Sequence, residues 1–142
     1  MNAALDLLSL RSALFVPLAD DRFIAKAHER GADALLLDLE DSVPPAYKRE
    51  ARARLPEAAR RLAALGATVM VRVNSAPDLV ADDLNAAAHS QVAAVFLPKV
   101  ESAAQVRAAE KQLAGSAAQL VALLESPAAV LGAVDIAKAG KR

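Results

Sequence analysis

The chain has 142 residues, 55% of them apolar, with 17 Lys+Arg against 17 Asp+Glu and no cysteine. Zero net charge gives no bulk attraction to nucleic acid or to an anionic membrane, and 3% aromatic content without Trp argues against a stacking surface for single strands. Without cysteine there is no disulfide scaffold, thiolate zinc site or cysteine nucleophile.

At the amino end, Met1 to Leu10 lack a basic leader, carry Asp6 and run into Arg11, so they do not read as a signal peptide. No apolar run approaches the roughly 20 residues a membrane helix needs. A cytoplasmic protein with no membrane and no nucleic-acid partner is the expectation.

Five short β-branched or Leu-rich runs read as buried strands: Ser12 to Pro17, Ala34 to Leu39, Thr68 to Asn74, Ala94 to Lys99 and Leu120 to Glu125. Between and after them lie Ala-, Arg-, Glu- and Leu-rich stretches of high helix propensity: Asp21 to Arg30, Tyr47 to Leu65, Leu79 to Ser90, Ser102 to Ala114 and Pro127 to Ala139. Pro56 interrupts the second of these and predicts a break or kink near Leu55, with two short helices as one outcome. Short connections between alternating β and α units require parallel strands with right-handed crossovers. No Ser-, Gly- or Pro-rich linker divides the chain, so 1–142 is read as one domain. The pattern alone leaves open sheet and barrel undecided. Five units fall short of the eight-stranded barrel, which takes about 250 residues.

Parallel α/β folds carry their chemistry at the carboxyl ends of the strands. Four consecutive strands put charge there: Asp38, Glu40 and Asp41 after the second, Arg72 and Asn74 on the third, Lys99 and Glu101 after the fourth, and Glu125 after the fifth. Strand alternation places Asp38 with Glu40, Arg72 with Asn74, and Glu125 with Leu123 and Val121. Charges inside apolar strands need partners. One reading is structural pairing, Arg72 with one of the acids. The other is a site in which the acids and Glu125 bind a hard divalent cation such as Mg²⁺, and the planar fork of Arg72 binds a carboxylate-bearing substrate. His28 and His89 lie in helical stretches with no second His at ligand spacing, and neither a G-x-S-x-G nor a Gly-rich phosphate loop is present. The cluster Lys48, Arg49, Arg52, Arg54, Arg60 and Arg61, interleaved with Glu50 and Glu57, reads as a solvated helix face.

The blocks RSALFVP (Arg11 to Pro17), RFIAKA (Arg22 to Ala27), GADALLLDLEDSVPPAYK (Gly31 to Lys48), VRVN (Val71 to Asn74), LPKVES (Leu97 to Ser102) and LLES (Leu123 to Ser126) resemble, in order, the citrate lyase β-subunit family within the HpcH/HpaI aldolases. The resemblance implies a (β/α)₈ TIM barrel of which this chain covers about the first five units, the carboxyl-terminal units being absent from this sequence. It implies an Mg²⁺-dependent lyase, commonly oligomeric, that cleaves or forms a carbon–carbon bond through an enolate in a small oxo-acid or its acyl-CoA or acyl-carrier thioester. It assigns Arg72 to the substrate carboxylate and Glu125 to the metal. Glu40 and Asp41 would hydrogen-bond metal-bound water or the substrate-binding arginine, Arg11 would be a further substrate-binding residue, and Lys99 a site-lining or structural cation. Three positions depart from the family pattern. Leu18 replaces the glycine after FVP, Ala128 and Ala129 replace an Arg-Gly pair, and the second metal carboxylate, an Asp after the sixth strand, has no position in these 142 residues. Leu18, Ala128 and Ala129 favour one alternative, a non-catalytic binding or regulatory relative; a broader one is a CoA-independent metal-dependent keto-acid aldolase.

Overall fold

A computed structural model describes residues 6–140. Residues 1–5, within the stretch read as no leader, and residues 141–142, at the end of the single-domain reading, lie outside it. Five strands, β1 (Ala13–Pro17), β2 (Ala34–Asp38), β3 (Val69–Arg72), β4 (Ala94–Leu97) and β5 (Gln119–Ala122), form one parallel sheet in the order β1-β2-β3-β4-β5. Consecutive order excludes a doubly wound arrangement, in which the chain reverses direction across the sheet. Among the described residues β1 and β5 are edges, so the sheet is not a closed barrel.

Among the described residues six α-helices accompany the strands: α1 (Asp21–Lys26), α2 (Lys48–Ala64), α3 (Val80–Ala88), α4 (Ala103–Gln112), α5 (Pro127–Leu131) and α6 (Ala133–Ala139). Their ends follow local chemistry. Asp20 caps α1 by accepting from Arg22 N–H, Ser102 and Gln105 form a reciprocal capping box on α4, and Ser126 caps α5 ahead of Pro127. α2 ends where Gly66 adopts φ +84°; Gly66 N–H bonds Ala63 C=O while Ala67 N–H bonds Leu62 C=O, the paired arrangement that a left-handed residue permits. The stretch predicted as one terminal helix divides at Gly132. No helix among the described residues is long and apolar enough to cross a membrane.

The sheet's two faces differ. Leu35, Leu37, Val69, Val71, Val95 and Leu97 turn toward the helices and share a core with Leu55, Ala59 and Leu62 of α2, Leu84 and Ala87 of α3, and Val106 and Ala109 of α4. Ala34, Leu36, Met70 and Ala94 turn the other way and are partly covered by Leu7, Leu10 and Phe96. With a period of two, Asp38 continues the Ala34–Leu36 row and Arg72 continues from Met70. The register sets Asp38 directly beside Arg72, so a carboxylate and a guanidinium meet where these rows reach the carboxyl end of the sheet.

The break predicted at Pro56 does not occur: α2 is one helix of 17 residues. Pro56 removes the bond its N–H would give to Arg52 C=O, but burial of Ala51, Leu55, Ala58, Ala59 and Leu62 against the sheet outweighs that loss. Since Pro56 itself is exposed, Pro56→Ala should restore the bond without opening a cavity. Urea denaturation is expected to show a gain of about 1–3 kcal/mol; an unchanged midpoint would mean the helix has already absorbed the cost.

Candidate active site

The site starts at Asp38, the last residue of β2 and 0% exposed. Its carboxylate accepts Arg72 Nε at 2.8 Å and Nη2 at 2.9 Å, forming a bidentate pair across two strands. It also accepts Glu40 N–H at 3.0 Å and both the N–H (3.1 Å) and Oγ (2.5 Å) of Ser42. Two of these are local bonds from neighbouring backbone N–H groups to an Asp side chain, and with the Ser42 hydroxyl they fold residues 39–42 over the strand end. Burial pushes the Asp38 carboxyl up, but the bonds from Arg72, Ser42 and the backbone N–H groups of Glu40 and Ser42 together hold it below the usual carboxylate range. Its hydrogen bond in turn raises Arg72 above the ordinary arginine value.

This pairing changes the role expected of Arg72. The fork that the sequence offered to a substrate carboxylate is occupied by Asp38. What remains is Nη1, at 3.2 Å from Glu40 Oε2 and 3.3 Å from Asp41 Oδ2. Phe15 of β1 lies 4.8 Å from the guanidinium carbon, a cation–π contact on one face.

Lys99 joins the next two strands to this pair. It is the one described non-glycine residue with positive φ, +54°, a conformation costing about 1–3 kcal/mol that persists when the surroundings enforce it. Its N–H donates to Glu125 Oε2 at 2.8 Å, while its Nζ reaches Glu40 Oε1 at 2.8 Å and Asp41 Oδ1 at 3.8 Å. The Glu40 contact raises the ammonium's pKa. Glu40, Asp41, Arg72 and Glu125 are thus gathered at the carboxyl ends of β2, β3 and β5, linked through Lys99 after β4. Glu40, Asp41 and Lys99 line an open cleft of about 590 Å³, together with Lys48, Asn74 and Ser75.

Arg11 is elsewhere. It precedes β1 at the amino end of the sheet, about 20 Å of strand away, where its side chain and N–H bond Asp33. Asp33, pushed down to about 2 by that arginine, also accepts from Ser12. Asn74 does not stay with Arg72 either: β3 ends at Arg72, and Asn74 turns its N–H and Nδ2 to the buried Asp83 of α3. Nor is the basic cluster of α2 a solvated face throughout. Lys48 donates to Leu39 C=O and Glu40 C=O beneath the acidic loop, with burial lowering its pKa, and Arg52 donates to Asp83 and Asp82. The lysine's position one turn beyond Pro44-Pro45 was visible in sequence, its target carbonyls were not. Leu18, at the position of a family glycine, is fully buried in the helix-side core.

Among the described residues, no three carboxylate or imidazole groups converge as a ready cage for a metal. Mg²⁺ asks for less, one or two carboxylates with water and ligand oxygens. The donor set meets that need. Glu40 has a side chain only 6% exposed whose Oε2 accepts no hydrogen bond, its 3.2 Å approach to Arg72 lying off the N–H direction. Asp41 and Glu125 stand at the exposed rim. Four carboxylates (Asp38, Glu40, Asp41, Glu125) stand against Arg72 and Lys99, while Lys48 bonds the backbone carbonyls of the same loop; counting all three cations the formal charge of the site is −1, and a cation is welcome.

Residues 11–142 match the HpcH/HpaI aldolase/citrate lyase family. The chain belongs to that family. It is 34% identical over 143 residues to the citrate lyase subunit beta of Escherichia coli (strain K12), covering 93% of this chain and 47% of that protein. It is also 34% identical over 129 residues to the (3S)-malyl-CoA thioesterase of Cereibacter sphaeroides (strain ATCC 17025 / ATH 2.4.3), covering 89% of this chain and 44% of that one. Among solved structures it resembles protein CitE of Mycobacterium tuberculosis in complex with magnesium, acetoacetate and coenzyme A. The TM-score is 0.72 and the identity 34%, over 94% of this chain and 47% of that one. The chain spans about half the length of the curated relatives it matches.

In this HpcH/HpaI chain the organising role of Asp38 has a pH signature. A depressed folded pKa contributes stability that is present above the unfolded value of about 3.9 and is lost as pH falls through the folded value. Asp38→Asn should cost about 3–5 kcal/mol at pH 7 by leaving Arg72 half-paired in a buried setting. It should also flatten the acid limb of stability below about pH 4. Urea midpoints from pH 2 to 7 on both proteins check this, and an unaltered acid limb would contradict it.

Proposed function

We propose that these residues supply the first five units of a (β/α)₈ barrel whose completed form is an Mg²⁺-dependent lyase, breaking or forming a carbon–carbon bond next to a carbonyl in a β-hydroxy acid or its CoA or carrier thioester. The observation that carries the reading is the meeting of Arg72, Glu40, Asp41, Lys99 and Glu125 at the carboxyl ends of adjacent parallel strands. Support also comes from the related structure that holds magnesium, acetoacetate and coenzyme A. Glu125 and an acid of the 40–41 pair are the groups that would hold Mg²⁺, which when bound supplies a Lewis acid for the substrate carbonyl.

The chain's own residues do the rest. Asp38 fixes the plane of Arg72 and leaves Nη1 against Glu40 and Asp41 behind the cleft wall, so Arg72 gives a substrate carboxylate that reaches it one charge-assisted hydrogen bond from a preset direction. Glu40 and Asp41 hold that Nη1 and are placed to take the proton of a substrate hydroxyl as the bond beside the carbonyl breaks. Phe15 shields one face of the guanidinium and keeps its charge directed at the ligand.

The thioesterase relative favours a second reading, hydrolysis of the thioester at the same site. Products separate the two: with a β-hydroxyacyl-CoA, cleavage yields a carbonyl fragment and a shorter acyl-CoA, and hydrolysis yields free CoA thiol. We expect the carbonyl fragment from the full chain; thiol release without it would favour the second reading.

Two variants test the roles. Glu125→Gln should lower turnover by at least about 100-fold (roughly 2.7 kcal/mol) with an unchanged circular dichroism spectrum. Arg72→Lys cannot reproduce both bonds to Asp38 and should raise KM about tenfold while also lowering stability. Full turnover in Glu125→Gln would remove that residue from the site.

A further inference from the structure

We propose that Lys99 is a resident counter-ion that competes with the divalent cation for the acidic cluster, so that it sets the site's cation affinity and is displaced when the cation binds. This rests on the reading of the cluster as a cation site. One residue touches all three acids assigned to it: Lys99 N–H bonds Glu125 Oε2, and its Nζ sits 2.8 Å from Glu40 Oε1 and 3.8 Å from Asp41 Oδ1. The positive φ of Lys99 is one a lysine adopts when held there. The bond to Glu125 provides the hold, and Nζ reaches across to the loop after β2.

Two cations face Glu40, and their attachments decide which one yields. Arg72 is tied to Asp38 by two hydrogen bonds, and its side chain is 11% exposed. The Lys99 side chain is 55% exposed at the mouth of the cleft and makes ion pairs without burying its stem. Rotation about its side-chain torsions carries the ammonium into water while the backbone, and its bond to Glu125, stay in place. That movement leaves Glu40 Oε1 with only the 3.4 Å hydrogen bond from Ser75 Oγ, beside Oε2, which accepts no hydrogen bond. A doubly charged ion then replaces a singly charged one against the same carboxylates, and the buried Glu40 is never left without a counter-charge. The resident ammonium also accounts for the absence of a ready metal cage among the described residues: the acids are oriented toward Lys99 and Arg72 rather than toward a common point.

The test is calorimetric titration of Mg²⁺, and separately Mn²⁺, into the full chain as wild type, Lys99→Met, Lys99→Gln and Lys99→Arg. Both neutral variants should bind about tenfold more tightly, since the competing charge is gone, and the charge-retaining variant should bind no more tightly than wild type. Thermal unfolding without metal checks that each variant is folded; the half-exposed position makes that the expected result, and the two neutral variants back each other. Equal affinity in wild type and both neutral variants overturns the competition while leaving the metal site standing. Weaker binding in the neutral variants overturns it by making Lys99 an aid to the cation. Binding to none of the proteins overturns both this inference and the functional reading beneath it.

Discussion

The arrangement depends on a buried ion pair between neighbouring strands, Asp38 with Arg72. Two charges leave water at the end of an apolar sheet, a step that costs several kcal/mol per ion unless geometry and further hydrogen bonds offset it. Both conditions are met. The parallel register puts the two residues side by side, the guanidinium donates twice, and the remaining lone pairs of Asp38 take the loop N–H groups and the Ser42 hydroxyl. The pair thereby couples the direction of Arg72 to the shape of the loop carrying Glu40 and Asp41. Lys48 reinforces the same loop from below through its carbonyls.

A consequence is competition for the same oxygens. Nη1 of Arg72 and Nζ of Lys99 already lie against Glu40 and Asp41, so an incoming anion or cation meets groups that have partners. An anion approaching Arg72 works against the two acids, whereas a cation approaching the acids works against two bases. Simultaneous entry of a metal and a carboxylate lets every charge exchange one partner for another. Charge balance in this cluster is therefore a property of the four groups together rather than of any one pair.

Much of this was legible in the residues. Runs such as ALLLD and VMVR marked the buried strands, helix-prone stretches opening at Ser102 and Pro127 marked helix starts, and charges at four strand ends marked the site. The departures have identifiable causes. Strand parity placed Asp38 and Arg72 on faces but not in register, so the occupation of the arginine fork by Asp38 required the sheet. Parity also fails once a strand ends, which is why Asn74 turns to Asp83. Arg11 stood beside a strand motif, but two residues before a strand is the wrong end of it. The positive φ of Lys99 carries no sequence signal, because lysine does not favour it.

The most direct test of the central claim is a double-mutant cycle on the stability of Asp38→Asn, Arg72→Met and the combined variant. A buried pair organised in this way makes each single change expose an unpaired polar or charged partner, so removing both together should cost less than the sum. A coupling of about 2–3 kcal/mol is expected, with the double variant no less stable than the worse single one. Costs that add to within about 0.5 kcal/mol would show that Asp38 and Arg72 act independently and would contradict the account.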